Sequence, residues 1–411
     1  MPPATWDPSV CDPFAVEDRT ANDRVDCLFA QGDRTGVTLD VSPEEAARIP
    51  ITHVIVRMQE NRSFDHYYGR LPDAGVTAVD GIPPSFTNPD LDGDEVAPFP
   101  LESTCLEADP PHQWEAMNAQ WNGGALDGFV TTAAVAGSDG TYTMGTYGED
   151  DLPFYYWVAR TFAISDRYFS SSLGGTWSNR NFLYTGAAHG VRSTFDRVIS
   201  DAPTLFDQLT DAGVRWAVFN EGLGPRQDTL GWNRETPGVF GTDELFRALD
   251  DGTLPRVSFV ETAPGNFADE HPPFDVQPGE AWTRAIYEAA RRSELWPGIA
   301  IILNYDTAGG MLEHVPPPEA CIPLAGDEDF TQLGFRVPFA VLSPWVKPGY
   351  VSHAVHDHTS VVRFIQLLFD LPALSDRDAN ADALLDMFAF DCDPDLLDPP
   401  RAPPAGRGGC P

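Results

Sequence analysis

Five short apolar segments separated by helical patterns constrain the fold of this chain more than any other feature of its sequence. Each segment is bounded by glycine or proline. Such segments are typical of strands that are buried on both faces of a parallel sheet. They cover residues 52–58, 213–220, 256–261, 299–304 and 337–342.

Helical patterns lie between and around these segments, at residues 204–211, 243–249, 279–293 and 360–369. Thr359 is the predicted cap of the last one, and a short helix is predicted after Ser42-Pro43-Glu44-Glu45, which reads as a capping box. The alternation of strand and helix predicts an α/β fold with a doubly wound sheet.

Two regions break this alternation. Residues 70–150 are rich in Pro, Gly, Asp and Asn and are predicted to form an insertion over the edge of the sheet. Residues 393–411 form a tail rich in Pro and Gly, which we expect Cys410 to hold in place.

The charge of the chain excludes several classes of partner. With 411 residues it forms a large core in one or two domains, and its 62 acidic and 26 basic residues give a formal net charge of −36. Direct binding to nucleic acid or to an anionic membrane needs Lys and Arg to neutralise phosphates, so neither is expected. No run of eighteen apolar residues occurs, so no stable membrane insertion is predicted, and no feature indicates a protein partner. A phosphate ester substrate would need a local cation, such as a metal ion.

The six cysteines lack CxxC spacing and indicate three disulfides in an exported protein. We expect Cys11 to pair with Cys27 and Cys392 with Cys410, as local loops that clamp the two ends. Six free thiols in a cytosolic enzyme are the weaker alternative. The N-terminus lacks the basic and apolar segments of a signal peptide, and the cysteines favour a secreted or periplasmic location.

Acidic and amide side chains follow two of the predicted strands. Glu60 and Asn61 come directly after the first strand, and Asp306 lies just after the segment 299–304, before a Gly-Gly turn. The carboxyl ends of strands form the ligand crevice of open α/β sheets, and these side chains offer hard oxygen donors to a divalent cation. The alternative is a turn whose Glu is merely solvated.

Thr176 follows two glycines at the start of a predicted helix, with Asn179 one turn further on. Glycines let the backbone approach an anion closely, and a hydroxyl at this position serves as a helix cap or as a nucleophile. His112 and His271 are fixed by neighbouring prolines, and His314 precedes three prolines. A single histidine is more often a core or surface residue than a catalyst, but such His-Pro corners favour a functional role.

Several of these motifs together resemble one family. The motifs ENRSFDHYYG, GGTWSNR, EHPP, YDTAGGMLEHVPPP and SHAVHDHTS occur here in that order. They resemble, from about residue 50 to about residue 370, the bacterial phosphoesterase family that holds phosphatidylcholine-hydrolysing phospholipase C enzymes and acid phosphatases. The resemblance implies an alkaline-phosphatase-like α/β/α sandwich with a mostly parallel sheet, formed as a single domain over residues 1–392, and one divalent metal ion.

The resemblance also implies roles for individual residues. Thr176 is the implied nucleophile, and His112 and His271 would hold the phosphoryl oxygens or the leaving group. The implied metal ligands are Glu60, Asn61, Asp306 and the hydroxyl of Thr176, and Asn179 and His314 complete the catalytic candidates.

One departure from the family pattern concerns the metal. The family has a second acid after the strand-terminal Asp, whereas this chain has Thr307; it is the fifth candidate metal ligand, and its neutral hydroxyl should weaken cation binding. Ala308 and Glu313 are milder departures. The oxygen ligands favour Ca²⁺, with Mg²⁺, Mn²⁺ or Zn²⁺ as alternatives.

The predicted activity is phospholipase C type hydrolysis of phospholipid head groups. The alternatives are an acid phosphatase or broad phosphodiesterase acting on small phosphate esters, and an impaired protein that binds phosphoesters without hydrolysing them. A choline head group would need an aromatic cage, and the candidates are Trp114, Trp121, Tyr155, Tyr156 and Trp157. A buried aromatic helix is the favoured interpretation of the last three. His356, Asp357 and His358 could form a second metal site, but a helix-capping network behind the active-site loops is favoured.

Overall fold

The computed structural model describes residues 18–134, 138–194, 196, 199, 201–220, 230–232, 236–261, 268–391, 393–406 and 410. Its strands are β1 (His53–Gln59), β2 (Asn88–Pro89), β3 (Glu95–Val96), β4 (Phe99–Pro100), β5 (Gly145–Thr146), β6 (Ala163–Ser165), β7 (Trp216–Asn220), β8 (Val239–Phe240), β9 (Val257–Glu261), β10 (Ile299–Tyr305), β11 (Ala340–Leu342) and β12 (Val351–Ser352).

Its α-helices are α1 (Ala21–Val25), α2 (Thr35–Thr38), α3 (Pro43–Ala46), α4 (Phe64–Tyr68), α5 (Trp114–Trp121), α6 (Phe129–Ala133), α7 (Pro153–Thr161), α8 (Thr176–Thr185), α9 (Leu205–Asp211), α10 (Thr242–Asp250), α11 (Gln277–Arg292), α12 (His358–Phe369) and α13 (Asp376–Ala379). Single 3₁₀ turns occur at Leu71–Ala74, Asn122–Gly124, Thr141–Met144, Trp296–Gly298, Glu328–Phe330 and Leu385–Met387.

Within the described residues, the central sheet has eight strands in the order β12-β6-β11-β10-β1-β9-β7-β8. The five strands β10, β1, β9, β7 and β8 run parallel to one another, and every residue of β1, β9 and β10 is buried. The predicted α/β fold with a mostly parallel sheet is therefore confirmed.

The predicted segment 337–342 does not form a parallel strand of the sheet. It forms β11, which is antiparallel to both β10 and β6. Parallel neighbours need a crossover connection, usually a helix on the sheet face. The described chain between β10 and β11 contains only the 3₁₀ turn Glu328–Phe330, so the strand returns antiparallel.

The predicted caps are confirmed at one helix and corrected at another. Ser42 and Glu45 form the reciprocal capping box of α3. The last long helix, α12, begins at His358 and is capped by Asp357, whose Oδ1 accepts the N–H of Thr359 at 2.9 Å. Asp357 has extended backbone and a short carboxylate, the combination a cap requires, so the prediction of Thr359 as the cap was wrong.

The described part of residues 70–150 contributes no strand to the central sheet. It contains α5, α6, the two-stranded sheet β2-β3, and β4, which pairs with β5. This organisation agrees with an insertion, which stays a prediction.

The disulfides connect distant parts of the chain. Cys27 bonds to Cys321 and Cys105 to Cys410, across sequence separations of 294 and 305 residues. The predicted local partners of Cys27 and Cys410 were therefore wrong, because folding brings each end of the chain against a distant loop. The other members of those predicted pairs, Cys11 and Cys392, lie outside the described residues.

The C-terminal tail is held by more than its disulfide. Leu396 and Ala402 are buried in the core. The backbone N–H of Gly406 donates to Glu280 at 3.0 Å, and the indole of Trp296 donates to the carbonyl of Leu397 at 3.1 Å. Among the described helices, none has the length and apolar character needed to span a bilayer.

Candidate active site

Three buried carboxylates meet where three neighbouring parallel strands end. Glu261 is the last residue of β9, while Glu60 and Asp306 directly follow β1 and β10. The pairing of Gln59 with Tyr305 aligns the ends of β1 and β10, and the exposed fractions of the three acids are only 0–3%. The structure therefore brings Glu60 and Asp306 together, as the motif spacing led us to expect, and adds Glu261.

Arg180 of α8 lies among these carboxylates. Its Nη2 is 3.0 Å from Glu60 Oε1, its Nε is 3.3 Å from Asp306 Oδ2, and its Nη1 is 3.6 Å from Glu261 Oε1. Burial raises the pKa of Glu60 well above its usual value; Arg180 opposes this rise and Asp306 adds to it. Three carboxyl groups share one guanidinium here, so ionising all three would leave an excess of buried negative charge that a bound cation would offset.

Thr176 begins α8 directly after a tight glycine loop. A Cβ atom at Gly174 would lie 2.7 Å from the side chain of Ser178, so this position has no room for a larger residue. Asn179 fastens the loop, because its Oδ1 accepts the N–H of Ser172 and its Nδ2 donates to the carbonyl of Gly174, both at 2.9 Å. These contacts make Asn179 a positioning residue for the loop.

The hydroxyl of Thr176 faces the strand-end cluster. Its Oγ1 lies 3.5 Å from Asn61 Oδ1, and the residue is 7% exposed. Gly175, rather than Thr176, is the N-cap of α8, and no described side chain caps this end of the helix. The interpretation of Thr176 as a simple cap therefore loses its support, and the helix N-terminus remains available to an anion.

Asn61 is locked into the cluster through its backbone. Its φ angle of 60° is left-handed, and its N–H donates to Asp306 Oδ1 at 3.1 Å. Gly309 packs directly on its carbonyl, since a Cβ atom there would lie 2.1 Å from that oxygen. The Gly-Gly turn after β10 is thus needed for the close approach of the two loops.

His112 and His271 lie together beside Asn61. Their ring centroids are 5.4 Å apart. His112 Nε2 is 3.1 Å from Asn61 Nδ2, and its Nδ1 donates to the carbonyl of Pro110 at 2.7 Å. The loop of His271 is joined to β1, because the N–H of Glu60 donates to the carbonyl of Asp269 at 2.9 Å.

A buried glutamate anchors the loop that carries His271. Glu270 is fully buried and accepts hydrogen bonds from the hydroxyls of Tyr67, Tyr155 and Tyr305 at 2.5–2.6 Å. Its backbone is also left-handed, with a φ angle of 67°. The side chain before His271 is thereby fixed, and Tyr155 is committed to the core, as the buried-helix interpretation of α7 expects.

His314 belongs to a separate ionic network. Its Nδ1 donates to Asp65 Oδ2 at 2.6 Å, and Asp65 also binds Arg336 at 3.0 Å. Its Nε2 is 3.4 Å from Asp80 Oδ1. None of its contacts within the described chain is with Thr176, so the structure does not bring this candidate to the strand-end cluster.

The donor set around Thr176 fits a hard divalent cation. Its members offer only oxygens: two carboxylates, one carboxamide and one hydroxyl, from Glu60, Asp306, Asn61 and Thr176. Thr307 lies beside them, but its Oγ1 accepts the N–H of Gly309 at 3.0 Å and shapes the turn. Oxygen donors with excess negative charge suit Ca²⁺, Mg²⁺ or Mn²⁺.

Among the described residues, four further groups of side chains are close enough together to hold a metal ion. They are Asp109 with His112 and His271, Asp65 with Glu313 and His314, His356 with Asp382 and Asp386, and Cys105 with Asp275 and Cys410, whose two cysteines form a disulfide. In the group of Asp65, Glu313 and His314, both carboxylates already form ion pairs with Arg336.

The HDHTS motif forms the capping network that the sequence favours. Asp357 caps α12, and His358 Nε2 donates to the backbone carbonyl of Asp306 at 2.9 Å. Nδ1 of the same ring accepts from the hydroxyl of Tyr168 at 3.0 Å. His358 thus supports the loop of Asp306 from behind.

No role was predicted for Arg180, Glu261 or Glu270. Arg180 was detectable, because it lies four residues after Thr176 and therefore on the same helix face. Glu261 was also detectable, because it is the last residue of a strand, a position similar to that of Asp306 directly after β10. Glu270 carried no such signal, because its tyrosine partners come from three separate segments.

Comparison with known proteins identifies the relatives of this chain. A family model described as the phosphoesterase family matches residues 51–372. Phospholipase C B of Mycobacterium tuberculosis is 32% identical over 429 residues, covering 85% of this chain and 81% of the relative. Non-specific phospholipase C6 of Arabidopsis thaliana is 28% identical over 373 residues, covering 81% and 71%. A solved protein of the alkaline phosphatase superfamily from Vibrio parahaemolyticus matches 84% of this chain and 72% of its own, with 9% identity and a TM-score of 0.45.

Proposed function

Since the chain belongs to the phosphoesterase family and is a phosphoric ester hydrolase, we propose that it removes phospholipid head groups as a phospholipase C, with Thr176 as nucleophile. Two relatives that span most of the chain are phospholipases C. The observation that carries the proposal is the position of Thr176 Oγ1, 3.5 Å from Asn61 Oδ1 at the uncapped N-terminus of α8.

Glu60, Asn61, Asp306 and Thr176 would hold one divalent cation, with Ca²⁺ favoured by the all-oxygen donor set. When bound, such an ion lowers the pKa of a coordinated hydroxyl and neutralises phosphoryl oxygens. Thr307 stands beside this set as a neutral donor in place of a carboxylate, which lowers the expected affinity for the cation.

The chain's own residues supply the remaining chemistry. Deprotonated Thr176 Oγ1 attacks phosphorus, the bond to the diacylglycerol oxygen breaks, and His271 supplies the proton that this oxygen takes up. Nδ1 of His271 is engaged by the carbonyl of Pro272, which leaves Nε2 for this transfer. The head-group phosphate is then esterified to Thr176; water attacks its phosphorus, the bond to Thr176 Oγ1 breaks, the phosphorylated head group is released, and the proton that water loses returns to His271. The N-terminus of α8 stabilises the phosphoryl charge throughout.

A broad phosphodiesterase is the second candidate, and the aromatic residues favour it. The ring of Trp114 is covered by the guanidinium of Arg192, whose Cζ lies 5.1 Å from the ring centroid. Tyr155 is buried and bonded to Glu270. Neither residue therefore offers both faces of its ring to a quaternary ammonium group.

The experiment compares Thr176→Val with wild type on phosphatidylcholine, a monoester and a bis-ester at one pH. Thr185→Val is the matched control, because Thr185 ends the same helix and its hydroxyl bonds to the carbonyls of Asn181 and Ala187 and to the ring of His189, none of which belongs to the strand-end cluster. We expect Thr176→Val to lose several powers of ten in kcat on every substrate, and Thr185→Val to keep its activity. Near-full activity of Thr176→Val would exclude this nucleophile, and a higher rate on the bis-ester than on phosphatidylcholine would favour the second candidate.

We also propose that the protein is exported. The two long-range disulfides, Cys27–Cys321 and Cys105–Cys410, support an oxidising compartment.

A further inference from the structure

We infer that His112 is a positioning residue that orients the Asn61 carboxamide, so that the amide oxygen rather than the amide nitrogen faces the cation site. This inference rests on the proposed function, because it assumes that Asn61 serves as a ligand there. It assigns His112 a role other than contact with the phosphoryl group.

The two ends of the Asn61 carboxamide have different neighbours. Oδ1 lies 3.5 Å from the hydroxyl of Thr176, whereas Nδ2 lies 3.1 Å from Nε2 of His112. A cation accepts lone pairs, and only the oxygen of a carboxamide has one to offer. A flip of the amide by half a turn would therefore remove one ligand from the set.

The tautomer of His112 selects between these two orientations. Its Nδ1 lies 2.7 Å from the carbonyl of Pro110, and a carbonyl can only accept, so Nδ1 carries the proton. Oδ1 of Asp109, 3.4 Å from the same nitrogen, is also an acceptor. In the neutral ring Nε2 is then a pure acceptor. It accepts from Asn61 Nδ2, and a flipped amide would place two acceptors against each other.

If the Asn61 carboxamide were flipped, little else in its surroundings would favour its return to the original orientation. The backbone of Asn61 is fixed by its left-handed φ angle, by its N–H bond to Asp306 and by the contact with Gly309. Asn61 is fully buried and His112 is 7% exposed, so bulk water does not readily replace the lost hydrogen bond. The carbonyl of Pro110 thus fixes the His112 ring, and the ring fixes the Asn61 carboxamide. Partners of metal ligands commonly orient the ligand atom in this way.

The test measures Ca²⁺ and Mn²⁺ binding to chelator-treated protein by titration calorimetry, which requires no turnover. We expect His112→Leu to weaken cation affinity by about 10- to 100-fold, the range for loss of such a partner. His112→Gln should recover most of this loss, because its amide oxygen can accept from Asn61 Nδ2. Unchanged affinity in His112→Leu would overturn the inference.

A double-substitution cycle separates orientation from general damage to the fold. Aspartate at position 61 has two equivalent oxygens and no orientation to select. In the Asn61→Asp background, His112→Leu should therefore change cation affinity by less than about 3-fold, since the pairwise coupling is lost. An equal loss in both backgrounds would mean that His112 acts through folding, and would overturn the inference.

Stoichiometry distinguishes the remaining outcomes. One cation per chain in wild type, weakened in His112→Leu, supports the inference. Two cations per chain, with one lost in His112→Leu, would mean that Asp109, His112 and His271 ligate a second ion, and would overturn it. Wild-type protein that binds no cation, yet hydrolyses esters in chelator, would overturn the metal part of the proposed function as well.

Discussion

Removal of Arg180 should make the stability of this protein depend strongly on a divalent cation. Arg180 is 1% exposed and contacts Glu60, Glu261 and Asp306 within 3.0–3.6 Å. Burial alone would lower the pKa of Arg180, but Tyr184 and the three acids raise it well above its usual value, so the guanidinium stays charged. Arg180→Met therefore leaves three buried carboxylates without this positive charge.

The expected cost follows from that geometry. Loss of one partner from a buried ion pair destabilises a protein by about 3–5 kcal/mol. We expect this decrease in the free energy of unfolding by urea at neutral pH in the presence of chelator. A cation at 100 times its Kd stabilises the native state by about 2.7 kcal/mol. It should stabilise Arg180→Met by more than it stabilises wild type, because the variant's site is more negative.

Arg363→Met is the matched control. Arg363 is also a fully buried helix residue, and its described side-chain hydrogen bond is to Gln366 at 2.8 Å. Its substitution should change stability by the same amount with and without cation. A cost of Arg180→Met below about 1 kcal/mol in chelator, or a cost that does not shrink when cation is added, would refute this role of Arg180.

Three further predictions concern other parts of the fold. Thr307→Asp should tighten Ca²⁺ binding about 10-fold or more in calorimetry, because it restores a carboxylate beside Asp306. Glu280 has a pKa raised to about 7, first by burial, with its hydrogen bonds opposing the rise. The pKa of Glu280 is higher in the folded protein than the unfolded value of 4.5. The contribution of Glu280 to the free energy of unfolding is therefore complete below pH 4.5, and about 3 kcal/mol of it is lost as the pH rises to 7. Glu280→Gln should remove that slope in urea titrations at successive pH values. Finally, Cys27→Ser with Cys321→Ser should lower stability by about 2–5 kcal/mol in the same assay, because the bridge closes a loop of sequence separation 294.

Each of these three predictions would be contradicted by a specific result. Unchanged Ca²⁺ affinity in Thr307→Asp would mean that position 307 does not face the cation. A wild-type pH slope that persists in Glu280→Gln would assign the titration to another group, such as Glu313, whose buried carboxyl also has a pKa raised to about 7. Equal stability of the double serine variant and wild type would mean that packing alone holds the N-terminal segment.

The sequence predicts the strands of the sheet well because burial on both faces leaves a local signal. The segments at β1, β9 and β10 were identified within two residues of their observed bounds. The direction of β11 was not predictable, because it depends on the path of the loop that follows Asp306. The disulfide partners likewise depend on which distant loops meet, and sequence distance carries no information on that.

Within the site, residues that follow strands were easier to predict than residues that support them. Glu60, Asn61 and Asp306 converge because the strands that carry them are parallel neighbours. His314 lies in a different network, because its ring and its backbone N–H bond to Asp65 of α4, and Arg336 contacts the same ring. Glu270 was missed because its role arises from three tyrosine hydroxyls that meet only in the folded protein.

The most direct test of the account is to trap the phosphoryl group on the enzyme during turnover. Wild-type protein would be mixed with a phosphodiester substrate, quenched in acid within one turnover, digested and sequenced by mass spectrometry. If Thr176 is the nucleophile, one phosphoryl group that still carries the substrate's second ester, such as phosphocholine from phosphatidylcholine, is found on Thr176, and none anywhere in Thr176→Val treated in the same way. Rapid turnover with no phosphoryl group on Thr176, or with one on a different residue, would contradict it.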